Sequence, residues 1–482
     1  MWPLLQKGWN SPSITTMASF AARSAGLVLL LPLVLNRFSV AEVNVWQLLS
    51  TMALMAALVD FGFTPTFTRI IAFAMGGATD FGTVRPAASQ VGKAERPPNW
   101  DGVTRIIQTL GGLYLRMTLA LAVLAGVIGT WALHRPVSLL SDPAVGWIAW
   151  GVTVVGGLMS FWNGTYVSVI QGLNEVAVFR RWEAIASLAA LASSAAVLAL
   201  GGGLIAVAIT TQAWAILAVF RNRWLVRSLA GGRIRGIKGV AIDPEILRSA
   251  WPRTWRSGVG ALVSVGLTQS SGVVFAQFGD PPAVASYLLA LRAASLLTQF
   301  SQAPFYSRLP LLAMLRARGE EAQLVDASRR GMRLSYILFV VGAVAAAIAA
   351  GPLLGLIGSS VKFLPPHSWL ILCLGLFFER FGAMHLQLYS TTNDIRWHYA
   401  AGGAAVLYAA SAALAVPFIG LNGFILATVA GNVAFYAPYC ARLSYGVLSE
   451  SPARFERSTS LAPFAALSLA LALAFIPSLF PR

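Results

Sequence analysis

The pentapeptide Pro65-Thr66-Phe67-Thr68-Arg69 returns 239 residues later as Pro304-Phe305-Tyr306-Ser307-Arg308, each time at the end of a long apolar segment. A pattern of this kind, repeated at about half the chain length, indicates one module used twice, and the alternative is a chance echo. In an apolar chain, a duplicated helical bundle is the usual architecture of a secondary transporter with its site between the halves. We therefore expect Pro65, Arg69, Pro304 and Arg308 to mark hinges or a shared motif.

The amino-acid composition places the chain in a membrane. Of its 482 residues, 57% are hydrophobic and only 11% are charged, and the mean hydropathy is +0.70. A soluble protein needs roughly a quarter of its residues charged to cover its surface. Apolar stretches of about 20 residues, enough to span the bilayer as helices, occur along the whole chain. Cys373 and Cys440 lie inside such stretches, so neither a disulfide framework nor a metal site is expected.

The apolar stretches fall into two sets of six. The first set lies near residues 14–35, 44–62, 106–133, 146–170, 184–200 and 204–220. The second set lies near residues 257–278, 284–303, 334–357, 367–389, 399–416 and 423–441. We predict an all-α polytopic membrane protein with two pseudo-symmetric six-helix bundles, followed by a thirteenth C-terminal segment near 461–479. The predicted domains are a bundle at 1–220, a basic cytoplasmic linker at 221–256, a second bundle at 257–441, and a cytoplasmic loop with the extra segment at 442–482.

The basic residues alternate between loops and predict the orientation of the chain. With the N-terminus inside, cytoplasmic segments hold 27 of the 35 Lys and Arg residues. The outside segments and the spans hold four each. This bias predicts a cytoplasmic N-terminus. Topology thus accounts for the net charge of +17, and nucleic acid is not an expected partner.

Six charged residues lie within or at the edge of the predicted spans: Arg23, Asp60, Arg116, Arg292, Glu379 and Arg380. Charges at this depth are costly and should face a cavity or each other. Four arginines against two carboxylates favour an anionic cargo, because a guanidinium matches phosphate oxygens as a planar fork. We predict Arg23, Arg292 and Arg116 as substrate-binding residues. The alternatives are snorkelling or structural ion pairs, and for Arg380 a local pair with Glu379.

The carboxylates Asp60 and Glu379 are the candidates for coupling an ion or a proton to transport. The alternative for Asp60 is a capping role, since Asp60-Phe61-Gly62 is typical of a helix break. His385 either belongs to the same relay as Glu379 or is structural. No Gly-rich phosphate loop, metal-ligand spacing or catalytic arrangement stands out, so we expect no cofactor, no metal and no enzymatic activity.

Bends and interface anchors are also predicted. Pro32 in the first helix and Gly258 in the seventh mark possible bends, with close helix packing as the alternative. Five tryptophans near span ends are interpreted as an interfacial belt: Trp46, Trp147, Trp150, Trp162 and Trp369.

The first two spans resemble those of the Wzx-type polysaccharide flippases, which belong to the multidrug/oligosaccharidyl-lipid/polysaccharide exporter superfamily. The resemblance rests on Arg23 in the first span, Pro32 near its outer end, and Asp60-Phe61-Gly62 closing the second. Tyr287 and Arg292 in the eighth span also match. The chain departs from the family in its span number, because relatives usually have twelve or fourteen.

This resemblance implies a transporter that flips an undecaprenyl-pyrophosphate-linked oligosaccharide from the inner to the outer leaflet by alternating access. The cargo would serve the synthesis of O-antigen, exopolysaccharide or capsule. Arg23 and Arg292 would then contact the pyrophosphate or acidic sugars, one from each half. A polysaccharide polymerase and the glycosyltransferases of the pathway would be the functional partners.

Two other functions stay open at this point. A drug or organic-cation antiporter of related fold would need acidic residues in its cavity, which is the opposite of the balance seen here. A membrane-embedded glycosyltransferase or polymerase would need a sizeable outer loop with acid and base residues. The predicted outer loops are short, at most about a dozen residues.

Overall fold

The computed structural model describes residues 30–75, 97–236, 241–306, 308, 309, 312, 315, 316, 320–392, 394, 396–448 and 450–479. Within this part of the chain the regular structure is helical and contains no strand. The chain divides into two compact units, Met1–Leu262 and Val263–Arg482.

In the described part of the first unit, a helical segment at residues 30–37 precedes eight helices and the start of a ninth. They are α1 (Val40–Leu58), α2 (Phe63–Met75), α3 (Trp100–Leu124), α4 (Thr130–Ser138), α5 (Pro143–Trp162), α6 (Gly164–Gly172), α7 (Val176–Ala199), α8 (Leu204–Ser228) and α9 (Pro244–Phe275). A π-helical segment, Ala125–Gly129, joins α3 to α4, and a short 3-10 segment, Ala230–Gly236, follows α8. Helix α5 packs against α8, and α2 packs against α6.

Among its described residues, the second unit contains the end of α9 and the eight helices α10 to α17. They are α10 (Pro281–Tyr306), α11 (Glu321–Leu356), α12 (Pro366–Ser390), α13 (Trp397–Ile419), α14 (Leu421–Gly431), α15 (Ala437–Tyr445), α16 (Pro452–Ser458) and α17 (Leu461–Leu479). A second π-helical segment, Asn432–Tyr436, lies between α14 and α15. Helix α12 packs against α11, α14, α15 and α17.

The lengths and composition of these helices confirm the predicted all-α polytopic fold. Nine segments of the described residues are long and apolar enough to cross a membrane, and a tenth is the pair α16–α17, which is bent by 60°. The nine coincide in order with the third to sixth and the eighth to twelfth predicted spans. The second and seventh predicted spans lie in α1 and α9, the thirteenth is α17, and most of the first lies outside the described residues.

Large apolar side chains cover the outside of both units. Leu200 is 89% exposed in the first unit, and Leu356 and Phe418 are 83% and 86% exposed in the second. Contiguous apolar surface of this extent is unfavourable in water and is the normal surface of a helix bundle in lipid. The chain is therefore a multi-pass membrane protein.

The most buried span is α12, in which 72% of the residues of the apolar window are buried, against 6% for α13. Helix α12 begins with Pro366 at its first turn, where proline suits a helix because its missing N–H would have no partner there. Since most of α12 is enclosed by other helices, its polar residues must find partners inside the protein.

Two interpretations of single residues change with the structure. The belt interpretation of Trp369 is wrong, because Trp369 is fully buried and its Nε1 donates to the carbonyl of Ala343 at 2.9 Å. At Gly258, an added Cβ would lie 2.7 Å from the Cα of Phe61, so this glycine serves close packing.

Candidate functional site

Asp60 lies at the break between α1 and α2. Phe61 and Gly62 have positive φ angles of 49° and 78°, which turn the chain between the two helices. The Asp60 carboxylate then accepts from the backbone N–H of Thr64 at 3.2 Å and from the Thr64 hydroxyl at 2.9 Å. Asp60 thus caps the first turn of α2, as the alternative interpretation of this residue expected.

The hydroxyl of Tyr114 from α3 also donates to the Asp60 carboxylate. Tyr114 is fully buried, and its hydroxyl lies 2.7 Å from that of Thr64. Its ring fits against Gly164, where an added Cβ would lie 2.6 Å from the ring. We define Asp60, Thr64 and Tyr114 as the Asp60 cluster. In this cluster the carboxylate is held by three neutral donor groups.

The first unit holds a second polar contact near the end of α5. Asn222 of α8 is fully buried, and its side-chain amide donates to Asn163 at 3.0 Å. The Asn222 carbonyl oxygen accepts from Arg221 at 2.8 Å, and Arg221 also donates to the carbonyl of Trp182 at 2.9 Å. Here too a charged group is held by neutral partners.

The predicted arginines of the first half have different placements. Arg23 lies outside the described residues. Arg116 lies on the exposed face of α3, together with the exposed apolar residues Leu119 and Val123. The structure therefore places Arg116 away from the buried face of α3 that carries Tyr114.

Arg292 lies in α10 of the second unit and is half-buried. It follows directly on the buried run Tyr287–Leu291. Tyr287 is held by a hydrogen bond of 2.8 Å between its hydroxyl and that of Ser271 in α9. The guanidinium group is thus carried by a helix segment whose neighbouring side chains are fixed by packing.

Glu379 and Arg380 form an ion pair on α12. The Arg380 Nη2 lies 2.7 Å from the Glu379 carboxylate, and Nη1 donates to Gln302 of α10 at 2.6 Å. The Arg380 side chain is 8% exposed and the Glu379 side chain 30%. The local pair with Glu379 is therefore present, and Gln302 is a partner that sequence reasoning missed.

His385 lies five residues beyond Arg380 on α12 and contacts a different carboxylate. Its Nε2 is 3.2 Å from Glu456 of α16. Glu456 also accepts hydrogen bonds from Tyr445 at 2.8 Å and from Thr459 at 3.0 Å. We call these residues, together with Ser460, the His385 cluster. Sequence reasoning assigned residues 442–460 to a cytoplasmic loop and so missed Glu456.

The two copies of the pentapeptide lie at different points of their helices. Pro65 is the third residue of α2, which also contains Arg69, whereas Pro304 is in the last turn of α10. Arg308, just beyond α10, donates to the carbonyl of Ala327 in α11 at 3.3 Å. Pro32 lies in the helical residues 30–37. The copies differ in position, and their role as hinges stays a prediction.

The segment between α8 and α9 is tied to α3. Arg105 of α3 donates to Asp243 at 2.8 Å and to Glu245 at 3.1 Å, and the backbone N–H of Asp243 donates to Thr109. Burial acts to raise the pKa of Asp243, but hydrogen bonds from Arg105 and from the backbone N–H groups of Glu245 and Ile246 outweigh it, so this pKa is lowered. This tie bridges residues 138 positions apart.

Within the described ranges, no group of three or more His, Cys, Asp or Glu side chains is arranged to hold a metal ion. Cys373 and Cys440 are both buried as free thiols in the second unit.

Comparison with known proteins found similarity only at the level of structure: no family model and no curated protein matches the chain. The lipid II flippase MurJ, in an inward closed conformation, is similar over 97% of this chain and 93% of that chain, with a TM-score of 0.56 at 13% identity. A MOP superfamily transporter from Pyrococcus furiosus, described with a binding pocket of reversed polarity, is similar over 94% of this chain and 96% of that chain. Its TM-score is 0.52 at 12% identity. The MATE transporter ClbM in complex with Rb+ is similar over 93% of this chain and 95% of that chain, with a TM-score of 0.51 at 14% identity. At these identities the likeness shows the fold alone, a helical membrane fold that this chain shares with these three transporters.

Proposed function

We propose that this chain flips a lipid-linked oligosaccharide, of the undecaprenyl-pyrophosphate class, across the bacterial inner membrane by alternating access. The cargo moves from the inner to the outer leaflet and supplies the synthesis of a surface polysaccharide. The likeness to a lipid II flippase over nearly the whole of both chains supports a fold able to do this. The same fold also occurs in MATE transporters, so the choice between cargo classes must come from the residues of this chain.

The observation that carries the proposal is that both carboxylates within the predicted spans already have partners inside the protein. Asp60 is held by the hydroxyls of Thr64 and Tyr114, and Glu379 is paired with Arg380. A cationic cargo needs a carboxylate that it can approach, and using either of these would first require breaking its internal contacts. This arrangement favours an anionic cargo over a cationic one.

The arginines supply the complementary argument. Arg292 lies in the middle of an apolar helix, a position whose desolvation cost is at least about 2.5 kcal/mol, and Arg23 has a similar place in the predicted first span. A pyrophosphate group carries negative charge on several oxygens and accepts forked hydrogen bonds from guanidinium groups. We propose that Arg23 and Arg292 bind this group, and that Arg116 contributes more weakly from the exposed face of α3.

The partners follow from the proposed cargo. A lipid-linked oligosaccharide must be built by glycosyltransferases on the cytoplasmic side and used by a polymerase or ligase on the other side. The cytoplasmic N-terminus belongs to this proposal, because the cargo must enter from the side that carries the basic loops.

The test is the export activity of arginine variants. We expect Arg292→Ala and Arg23→Ala each to reduce the outer-leaflet amount of lipid-linked oligosaccharide by at least about tenfold, because each removes a charge-assisted contact worth about 1.5–3 kcal/mol. The matched control is Arg330→Ala, since Arg330 is 71% exposed and pairs with Asp326 on its own helix. Membrane levels of all variants are measured by immunoblot. Normal export by the double alanine variant would contradict the proposal.

A further inference from the structure

Glu456 receives an unusual number of contacts for a residue of a short helix. Oε1 accepts from the Tyr445 hydroxyl at 2.8 Å and lies 3.2 Å from the His385 Nε2. Oε2 accepts from the hydroxyls of Thr459 and Ser460. These donors come from α12, α15 and the bend after α16, so that the carboxylate connects three segments of the second unit.

The imidazole of His385 is fully enclosed. Its exposed fraction is zero, and its ring lies 4.4 Å from the ring of Phe381, 5.2 Å from that of Tyr445 and 6.1 Å from that of Phe455. Among the described residues, neither ring nitrogen makes a well-aligned hydrogen bond, and Nε2 is the nitrogen that lies beside the Glu456 carboxylate. A histidine with one nitrogen at a carboxylate and the other unengaged can gain or lose a proton without breaking its first contact.

Further unengaged hydroxyls lie on the helices around His385. Tyr336 of α11 is fully buried, and its ring stacks at 6.3 Å on Phe381, which also contacts His385. Ser335 of the same helix and Ser444 of α15 are also buried, and in the described part of the chain none of these three hydroxyls has a partner. Buried hydroxyls without protein partners are unusual and can relay protons through hydrogen bonds with water.

The charged and titratable groups around His385 are limited. Glu456 comes from α16, Tyr445 from α15, Tyr336 from α11, and Arg380 lies on α12 itself, paired with Glu379. Arg454 and Arg457 of α16 are exposed, and α17 contributes no titratable side chain among its described residues. Glu456 is thus the carboxylate in contact with the imidazole.

We propose that His385 and Glu456 form a buried proton-binding site that couples a proton to the movement of the cargo. A proton from solution binds to the neutral imidazole, which stays beside the Glu456 carboxylate. Proton binding changes the net charge of the His385–Glu456 pair from −1 to zero, and proton release reverses this step. The proton-binding part stands on the geometry alone, and the coupling part rests on the proposed function.

The position of the site explains how loading can change conformation. Immediately after Glu456 the chain bends by 60° into α17, which packs its Phe464 ring at 5.9 Å and 5.6 Å from Phe377 and Phe378 of α12. The neutral, loaded pair stabilises the packing of α16 on α12, because an uncompensated negative charge is expensive in this interior. Release of the proton removes this preference and shifts the population toward a state in which α16 is displaced.

The first experiment measures proton binding directly and without transport. The chain contains four histidines, so the protein with isotopically labelled histidine in lipid nanodiscs gives four imidazole signals, assigned by replacing each in turn. Spectra are recorded between about pH 5 and pH 9, where an imidazole in water changes its charge, and the proposal requires the His385 signal to change with pH. Glu456→Gln should alter this change, because Glu456 is the carboxylate that lies 3.2 Å from the imidazole. A His385 signal that stays constant over this range, or that ignores Glu456→Gln, overturns the proposal.

The second experiment measures coupling in proteoliposomes, with undecaprenyl-pyrophosphate-linked N-acetylglucosamine as the probe. We expect a pH gradient to change the rate of translocation on the order of tenfold for the unmodified chain, and to have no effect for His385→Gln. The matched control is Glu450→Gln, which removes the paired carboxylate contacted by Arg329 of α11 at 2.6 Å and should keep the gradient response.

The outcomes separate the two claims. A full gradient response in His385→Gln overturns the coupling role of the site. If the unmodified chain does not translocate the probe, this result counts against the proposed function. The pH dependence of the His385 signal then tests the proton-binding site independently.

Discussion

Three partly buried carboxylates, one in the first unit and two in the second, are held in different ways. In the first unit, Asp60 is held by neutral hydroxyl and amide donors from Thr64 and Tyr114. In the second unit, Glu379 faces Arg380, and Glu456 faces His385 in addition to three hydroxyl donors. Neutral donors hold a carboxylate in place without bringing a second charge next to it. An ion pair is lost when one partner gains or releases a proton, and a histidine can do this near physiological pH.

These different contacts imply different roles for the Asp60 cluster and for the charged contacts of the second unit. The Asp60 cluster determines the shape of a helix break, and changes there should act on stability. The charged contacts of the second unit join α10, α12 and α16, and a change in any of them alters which helices hold together. We expect protonation to act on the charged contacts of the second unit, and changes in the Asp60 cluster to act through capping and packing.

The largest effect on stability is expected at the ion pair of α12. Arg380→Met leaves Glu379 and Gln302 without their buried partner and should lower the free energy of unfolding by about 3 kcal/mol, at the low end of the usual range because Glu379 is partly exposed. The double variant Glu379→Gln with Arg380→Met should recover most of this loss, because no charge is left unpaired. Reversible unfolding in mixed micelles measures both. Equal destabilisation of the single and double variants would contradict the ion-pair account.

A smaller effect is expected at the packing of the Asp60 cluster. Gly164→Ala places a Cβ 2.6 Å from the ring of Tyr114, which forces the ring and its hydroxyl away from Asp60. The expected cost is about 1–3 kcal/mol, with no change in the pH dependence of transport. Gly157→Ala in the neighbouring helix α5 is the matched control, since its Cβ meets nothing within 4 Å and alanine favours a helix. Equal stabilities of the two variants would show that Tyr114 is not tightly enclosed.

The smallest effect is expected at the tie between α3 and the segment before α9. Asp243→Asn removes a carboxylate whose pKa is lowered by Arg105 and the backbone N–H groups. A lowered folded-state pKa contributes stability that is fully present above the unfolded value of 3.8 and is lost as the pH falls through the folded value. The Tm of Asp243→Asn should therefore lie below that of the unmodified chain at pH 7, and the difference should disappear in acid.

The control for this prediction is Asp326→Asn. Asp326 pairs with Arg330 on the same helix, so its loss removes a contact within one helix rather than a tie between segments, and it should lower the Tm less. A difference between Asp243→Asn and the unmodified chain that persists unchanged well below pH 3.8 would contradict the assignment.

The sequence predicted the class of fold because it depends on composition and on the length of apolar stretches. A span of about 20 apolar residues has few alternatives to a membrane helix, and the spans predicted near 284–303 and 367–389 correspond to Pro281–Tyr306 and Pro366–Ser390. Contacts between residues close in the sequence could also be predicted, such as the helix cap by Asp60 and the adjacent pair Glu379–Arg380. Such contacts need only the geometry of one helix or one turn.

Contacts between distant helices were not accessible from the sequence. Tyr114 and Asp60 are 54 residues apart, and a single tyrosine in an apolar span gives no sign of its partner. Glu456 lies in a charged stretch that resembles a loop, although the buried Phe455 beside it was an indication of packing. Likewise, Trp369 near a span end has the composition of a belt residue but is enclosed by the helices around α12.

The measurement that tests the central claim most directly is the location of lipid-linked oligosaccharide in cells that lack this protein. Undecaprenyl-linked sugars are extracted and assigned to a leaflet, and surface polysaccharide is measured in the same cells. The account predicts accumulation on the cytoplasmic face with loss of surface polysaccharide, restored by the unmodified chain and not by Arg292→Ala. Normal surface polysaccharide, together with increased sensitivity to cationic dyes, would contradict it and indicate a cation antiporter.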